Sequence, residues 1–547
     1  MPSPALQLRA PLLWLLLPFV IGLIVARHCP VPTFGLWPAT ATAGVTALAA
    51  LAAAWFQRNE WWTISLALAA GFGGFVLLHL RYPGLHDWST RPPREITVTV
   101  NIVQVFPTAP KARNLSGIAI IVATDDNNRE LLGRRIYYSA IRRISVPPLR
   151  SARYLLRGVI EPLPRETGAA GFNDYLANLG IHHRLTRAHV QREIAAPGRF
   201  QRFCVAAEAR LESILQEGLA AHPGTLSLYV GMLLGQKAVL SSEQQDAFTR
   251  SGTFHIFSIS GLHVGVIAGA LQGLLQLLRV GGRMGMAITL AVLWLYVEIT
   301  GAGSPAVRAF LMVAFLLASR AFRLPGNALA ALVASALATL LFDPLQLFST
   351  GFQMSYGVVT ALVVMGRPLT EHWLARWRPF ALLPRINWRW WHRALEWCGR
   401  QAITGMAGCW VAFLASTPSG IGYFGVFSLG SLPANLVIIP LTSLAIMAGF
   451  LSLLCGLAGM VAFSALFNSA AAIILLATDW VLQRGIALPG MFFPAGFRTE
   501  WLASASLGLM TATMVAGAAG GWSRRYGGYW PPAVLLGLLL IFGVKFG

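Results

Sequence analysis

The sequence predicts a polytopic α-helical membrane protein carrying an inserted, extracytoplasmic small β-barrel (OB-like) domain. Three observations carry this reading. The 547 residues are 56% hydrophobic and only 12% charged, with a mean hydropathy of +0.61, whereas a soluble domain holds about 25% charged residues. Apolar runs of about 20 residues, the length a helix needs to cross a bilayer, recur along most of the chain. One polar stretch, residues 81–205, alternates instead with the period of a strand.

Residues 1–80 read as an N-terminal three-span membrane segment, with spans near 11–27, 37–56 and 61–80. Trp14, Trp37, Trp55, Trp61 and Trp62 stand near their ends, as interface anchors do. The opening apolar run lacks an Ala-x-Ala site before Arg27, so it is expected to be a span and not a cleaved leader.

Residues 81–205 read as the β domain. Glu95–Phe106, Gly117–Thr124, Arg134–Ile141 and Ala152–Pro162 are strand-like and are separated by Gly, Pro, Asn and Asp turns. Five short strands in about 110 residues suit an OB-like barrel. The stretch holds 19 Lys and Arg against 9 Asp and Glu, nearly all of the bases being Arg. A charged soluble surface and a phosphate-binding face both fit that excess. The arginines marked for the second role are Arg134, Arg135, Arg142, Arg143 and Arg153. Of the adjacent Tyr137 and Tyr138, at most one is expected outside, because neighbours on a strand point oppositely.

Residues 206–255 read as amphipathic or interfacial linker helices. Glu208–Gly218 is amphipathic, and Thr225–Phe254 is too short in its apolar run for a span, so it is expected to dip into the membrane or lie along it. Residues 256–547 are the multi-span block, with spans near 258–279, 284–300, 305–321, 327–342, 350–366, 402–418, 432–456, 461–482, 501–519 and 531–545.

The basic loop Arg367–Arg400, with seven Arg and two Glu, is expected in the cytoplasm. Counting back puts the N-terminus inside, and Gly301–Pro305, Asp343–Thr350 and the β domain outside. The net charge of +21 is therefore not all explained by cytoplasmic loops, and the basic outer domain points to a polyanionic ligand. Five cysteines without a CxxC leave at least one thiol unpaired and predict neither a zinc site nor a disulfide framework.

Four polar clusters interrupt the apolar text of the second block, and polar groups in hydrocarbon are costly enough to need a purpose. His255–Gly265 (HIFSISGLHVG) holds Ser258, Ser260, Gly261, His263 and Gly265. Ser260 and His263 are three apart, so one helix face can carry both. A Ser/His pair can serve as nucleophile and base, but no orienting acid or GxSxG elbow accompanies it. A helix break capped by polar groups is the plainer account. Gly301–Phe310 (GAGSPAVRAF) brings Ser304 and Arg308, with Pro305 suited to a first helical turn. Phe342–Gly357 brings Asp343, Gln353 and Ser355, and Thr417–Leu441 is rich in Gly and Pro. One buried polar residue is ordinary helix–helix glue. Four clusters entering from one side are consistent with a shared translocation mouth, lined by Ser258, Ser260, Gly261, His263, Gly265, Ser304, Arg308, Asp343, Gln353 and Ser355.

The stretches HIFSISGLHVGVIAG, GAGSPAVRAFLM and DPLQLFSTGFQMSY, with GFNDYLANLGIHHRL before them, resemble in residues and order the motifs of the ComEC competence family. The likeness covers most of residues 1–440. It implies an inner-membrane channel for DNA uptake in natural transformation: an outer OB-like domain, then a helical block that admits a single DNA strand to the cytoplasm. It implies single-stranded DNA and membrane lipid as partners, with a periplasmic DNA-binding receptor and a cytoplasmic motor or single-strand-binding protein. No Walker A motif stands in the chain, so the motor is expected to be separate. Many family members carry a metallo-β-lactamase-like domain after this block. The present sequence has no HxHxDH, so no metal, cofactor or intrinsic nuclease is expected, and a separate nuclease is. The rival readings are an exporter or flippase for another anionic polymer or lipid-linked precursor, and a membrane-embedded Ser/His hydrolase.

Overall fold

The computed structural model describes residues 10–31, 33–83, 85, 91–106, 114–141, 149–164, 171–219, 223–236, 240–257, 259–323 and 327–547. Ser258, Arg142 and Arg143 lie outside the described residues.

Three helices come first: α1 (Leu13–His28), α2 (Trp37–Trp55) and α3 (Asn59–Arg81). Gly22 and Gly74 allow α1 and α3 to touch backbone to backbone, because a Cβ on Gly74 would lie 2.5 Å from the Phe19 carbonyl oxygen.

The polar stretch is a closed five-stranded barrel. Its strands are β1 (Arg94–Val105), β2 (Asn114–Thr124), β3 (Arg135–Ile141), β4 (Arg153–Pro162) and β5 (His183–Ala195), and helix α4 (Phe172–Asn178) lies between β4 and β5. The order around the barrel is β1-β2-β3-β5-β4, with β3 and β5 parallel and the other pairs antiparallel. Alternation sends Val98, Val100, Ile136, Tyr138, Leu156 and Leu185 into its core. Tyr138 is thus a core residue, and Tyr137 is half-buried against Phe172 at 5.4 Å.

The second block contains α5 (Arg199–Gln216), α6 (Pro223–Leu234), α7 (Ser242–Arg250), α8 (Gly261–Leu277), α9 (Gly282–Ile299), α10 (Ser304–Ala321), α11 (Ala328–Phe342), α12 (Thr350–Ala361) and α13 (Arg367–Arg376). It continues through α14 (Trp390–Phe424), α15 (Ser431–Leu457), α16 (Val461–Ile486), α17 (Glu500–Gly520), α18 (Trp522–Tyr526) and α19 (Pro531–Leu538). Each expected span overlaps a helix, and among the described residues seven helices are long and apolar enough to cross a membrane. The protein is a multi-pass membrane protein.

Within the segment expected to dip into the membrane or lie along it, α6 is packed against other helices of the block. Tyr229 of α6 is fully buried and donates from its hydroxyl to Asn468 Oδ1 of α16 at 3.0 Å. Asn468 in turn donates to the Ile214 and Glu217 carbonyls that end α5. Its amide therefore stitches α5 and α6 into the block, where an unpaired amide would cost several kcal/mol.

The helices share two cores. One joins α5–α10 to α15 and α16; the other joins α1 and α3 to α11, α12, α14 and α17. The N-terminal helices thus pack into the second half of the block.

Candidate functional site

The polar clusters meet where the two cores join, at the end of the block that faces the barrel. The pairing of α8 with α9 shows which end. Gln272 near the end of α8 donates to Thr289 Oγ1 near the start of α9 at 2.6 Å, so the helices are antiparallel. Gly261 and Glu298 then lie at the same end, and Glu298 receives Arg150 of the barrel at 3.2 Å.

Ser260 does not share a helix face with His263, as spacing alone allowed. It is the residue before α8, in extended conformation, and the two form a capping box. The Ser260 hydroxyl and His263 Nδ1 are 3.1 Å apart, and the Ser260 N–H donates to the same nitrogen at 3.3 Å. The reason is local: the first turn of a helix has N–H groups without partners, and a side chain at the third position can reach back to one. A ring nitrogen that accepts carries no proton, so the neutral ring holds its proton on Nε2. That Nε2 is buried and has no partner among the described residues.

Gly261 and Gly265 are exposed, as are Gly269 and Gly273 one and two turns on. A Cβ at any of the four would meet nothing within 4 Å. These glycines are not there for packing within the chain. They leave an open, side-chain-free strip along α8.

Arg308 lies in the first turns of α10, 2% exposed. It reaches across the join and donates Nη2 to the Gly351 carbonyl of α12 at 2.8 Å, while its Nε has no partner among the described residues. Gly351 makes room for it, since a Cβ there would lie 3.2 Å from Nη2. Ser304 is exposed as the first residue of α10. On α12, Gln353 donates to the Leu347 carbonyl at 3.2 Å and accepts from Tyr423 at the end of α14 at 2.9 Å. Ser355 is half-buried on the same helix.

Asp343 binds domain to domain. It accepts from Tyr82 of the N-terminal segment at 2.7 Å and from Gln346 at 3.2 Å, and it pairs with Arg135 of β3 at 3.8 Å. Arg135 also lies 5.2 Å over the Tyr82 ring. Gly180, in the left-handed region at φ +74°, packs its face against Leu345 and Tyr82. Two residues assigned separately by sequence, one to a ligand and one to the path, are thus each other's partners.

The barrel arginines divide by register. Arg134 donates to the Glu130 carbonyl at 2.8 Å. Arg153 is exposed. Pairing of Leu155 with Arg192 and of Glu161 with Arg184 puts those two arginines on the outer face with Arg153 and Arg157. Arg157 and Arg184 are balanced by Glu95 and Glu161, each at 2.8 Å. Arg184 and Arg192 were not singled out from sequence. The signal was the alternation in β5, which register shifts blur.

His183, buried at the start of β5, has its pKa pushed down to about 4, first by burial and then by Arg134 and Arg94. The folded ring stays neutral where an unfolded one, with a pKa near 6.5, takes a proton. The unfolded chain therefore binds more protons between about pH 6.5 and 4, and stability falls as pH falls through that window. Barrel amides in the full-length protein are expected to lose about 2 kcal/mol of hydrogen-exchange protection between pH 7 and 5, and His183→Gln to lose less.

Comparison with known proteins follows the same residues. The family described as "Competence protein" matches residues 232–522. ComE operon protein 3 of Bacillus subtilis (strain 168) is 24% identical over 382 residues, which is 69% of this chain and 45% of that protein. The match thus spans less than half the length of that relative. No solved structure matches the chain.

Proposed function

The chain belongs to the competence protein family, and on that premise we propose that it moves single-stranded DNA across the inner membrane during natural transformation. The observation that carries the reading is the convergence at one end of the block. Polar residues from α8, α10, α12 and α14 gather there below a barrel whose outer face bears Arg153, Arg157, Arg184 and Arg192. The positive-inside rule puts the basic loop Arg367–Arg400 in the cytoplasm, hence the N-terminus inside and the barrel in the periplasm. A periplasmic receptor would deliver the strand, and a cytoplasmic motor or single-strand-binding protein would draw it in. A separate nuclease would remove its complement.

In this scheme Arg153 and Arg192 neutralise phosphates on the barrel. The strand then runs along the exposed glycine strip of α8, and the buried His263 and Arg308 shape the mouth from the packed side of the helices. Ser304, Gln353 and Ser355 shape the same mouth. Asp343 and Arg135 hold the barrel over it. The Ser/His hydrolase reading needs a group to orient His263, and the ring's Nε2 has no partner among the described residues.

Binding of single-stranded oligonucleotide by the protein in lipid nanodiscs should weaken steeply with salt. Each phosphate contact on a single strand contributes about 0.7 to the slope of log affinity against log salt. Arg153→Ala with Arg192→Ala is expected to flatten that slope by roughly 1.4. An affinity indifferent to salt, or an equal affinity for any polyanion, would remove DNA as the ligand.

A further inference from the structure

At the end of the block away from the barrel, four arginines gather from two turns of the chain. Arg279 and Arg283 stand at the turn from α8 to α9, and Arg320 and Arg323 at the end of α10. The Arg283 guanidinium lies 5.3 Å over the Phe322 ring, so the two turns are neighbours. All four arginines are exposed. The ion pairs among the described residues involve none of them. From Asp246 to Asp343 the chain holds one acid, Glu298, and it lies at the barrel end with Arg150.

Two of the four occupy backbone positions where glycine is the ordinary residue. Arg279 and Arg323 each follow a helix C-cap, with φ of +59° and +56°, in the left-handed region. The Arg279 N–H donates to the Gln276 carbonyl at 3.0 Å and the Val280 N–H to the Leu275 carbonyl at 2.7 Å, the paired bonds that close a helix this way. The Arg323 N–H likewise donates to the Arg320 carbonyl at 3.1 Å. A side chain in that region carries a steric cost that glycine avoids.

A cation suits the negative end of a helix dipole, which accounts for Arg320 in the last turn of α10. It does not account for Arg283. That residue lies in the first turn of α9, at the positive end, behind Gly281, which has no side chain to cap the free N–H groups. The general excess of arginine in cytoplasmic loops asks only for charge, not for left-handed backbone or for two turns brought together.

The helices place the cluster at headgroup level. α9 and α10 hold 18 residues each. That is about 27 Å of helix against about 30 Å of hydrocarbon. Leu278, Met284 and Phe322 are exposed beside the arginines. Apolar side chains at the hydrocarbon edge and unpaired cations just beyond it match the two parts of an acidic lipid.

We propose that Arg279, Arg283, Arg320 and Arg323 form a binding site for the phosphate of an anionic phospholipid. The guanidinium forks take the phosphate oxygens, and Leu278, Met284 and Phe322 lie against the acyl chains. A phosphate held from both turns clamps the far ends of α8 and α10, whose near ends carry His263 and Arg308. The proposal is independent of the DNA reading.

The test follows thermal unfolding of the full chain in neutral detergent, titrated with phosphatidylglycerol or with phosphatidylcholine of the same acyl chains. A ligand of the folded state raises the midpoint, and the wild type is expected to respond more strongly to phosphatidylglycerol. Arg279→Gly with Arg323→Gly should raise the phosphatidylglycerol concentration needed by roughly thirtyfold. Its midpoint without lipid should equal or exceed that of the wild type, because both left-handed positions are relieved, which separates binding from folding. Arg283→Gln with Arg320→Gln should weaken the response to a similar degree. Arg378→Gln with Arg393→Gln removes the same charge from exposed positions in the other basic loop and should leave the response unchanged. The site is overturned if the wild type does not distinguish the two lipids, if the glycine pair keeps the full response, or if the remote pair loses it equally. If a single-stranded oligonucleotide stabilises the wild type through these arginines and phosphatidylglycerol does not, the cluster serves nucleic acid and the lipid site falls.

Discussion

Leucine at Gly265 and Gly269 is expected to stop DNA entry while the protein still accumulates and folds. Both positions are exposed on α8, and a Cβ at either has open space around it. The substitution adds helix propensity, worth up to about 1 kcal/mol per site over Gly. A packing role therefore predicts no harm. A path role predicts obstruction, because two isobutyl groups then fill the strip along which a backbone would pass. A steric penalty of about 1–3 kcal/mol at the barrier corresponds to a loss of roughly 5- to 150-fold in rate. Cytoplasmic entry of labelled DNA, normalised to membrane-inserted protein, is the readout. Normal entry would mean that the strip faces lipid or another subunit.

Asp343→Ala should loosen the barrel from the membrane block. The carboxylate holds Tyr82, Gln346 and Arg135 at once, and it also accepts from the Leu345 N–H at 3.3 Å. Hydrogen bonds to a charged group contribute about 1.5–3 kcal/mol each in net terms, and partners left behind are only partly rehydrated. We expect about 3 kcal/mol of local stability to be lost, read as roughly hundredfold faster amide exchange around Gly180 and Leu345. Exchange in the barrel core at Val98 and Val100 should change little, because that core is self-contained. Arg135→Ala should have a smaller effect at its 3.8 Å separation, and the double variant should be less than additive. Arg150–Glu298 remains as a second tie, so detachment should be partial. If Asp343→Ala left exchange at the seam unchanged, the latch would have no energetic meaning.

Much of the architecture was legible because the bilayer imposes a blunt signal. Long apolar runs marked every helix that was expected, and strict alternation marked β1 to β4. The clusters were legible for the opposite reason: Ser, His, Arg and Gln stand out in apolar text. Their partners did not stand out. Arg135 and Asp343 are 208 positions apart in different domains, and no local pattern links them. Ser260 and His263 were visible as a pair, but i,i+3 spacing fits a cap as well as a helix face, and only the extended backbone at Ser260 decides between them. β5 was obscured by its register shifts against β4. The small sheet of Val426–Ser428, Phe492–Phe497 and Val544–Phe546 was invisible because its two outer strands, of three residues each, are too short to show a period. The packing of α6 on α16 was not legible because an apolar run of 12 residues carries no sign of its neighbours.

The central claim is that the strand crosses the membrane at the mouth formed by α8, α10 and α12. It is tested most directly by following labelled DNA into cells carrying His263→Ala, Arg308→Ala or Arg308→Lys, with DNA held outside the inner membrane scored in the same cells. The account predicts that both alanine variants lose cytoplasmic label while DNA outside persists at the wild-type level, with partial recovery in Arg308→Lys, which keeps the charge but not the forked reach to Gly351. Normal cytoplasmic entry in both alanine variants, at equal protein level, would contradict it, and HIFSISGLHVG would then be no more than a capped helix start.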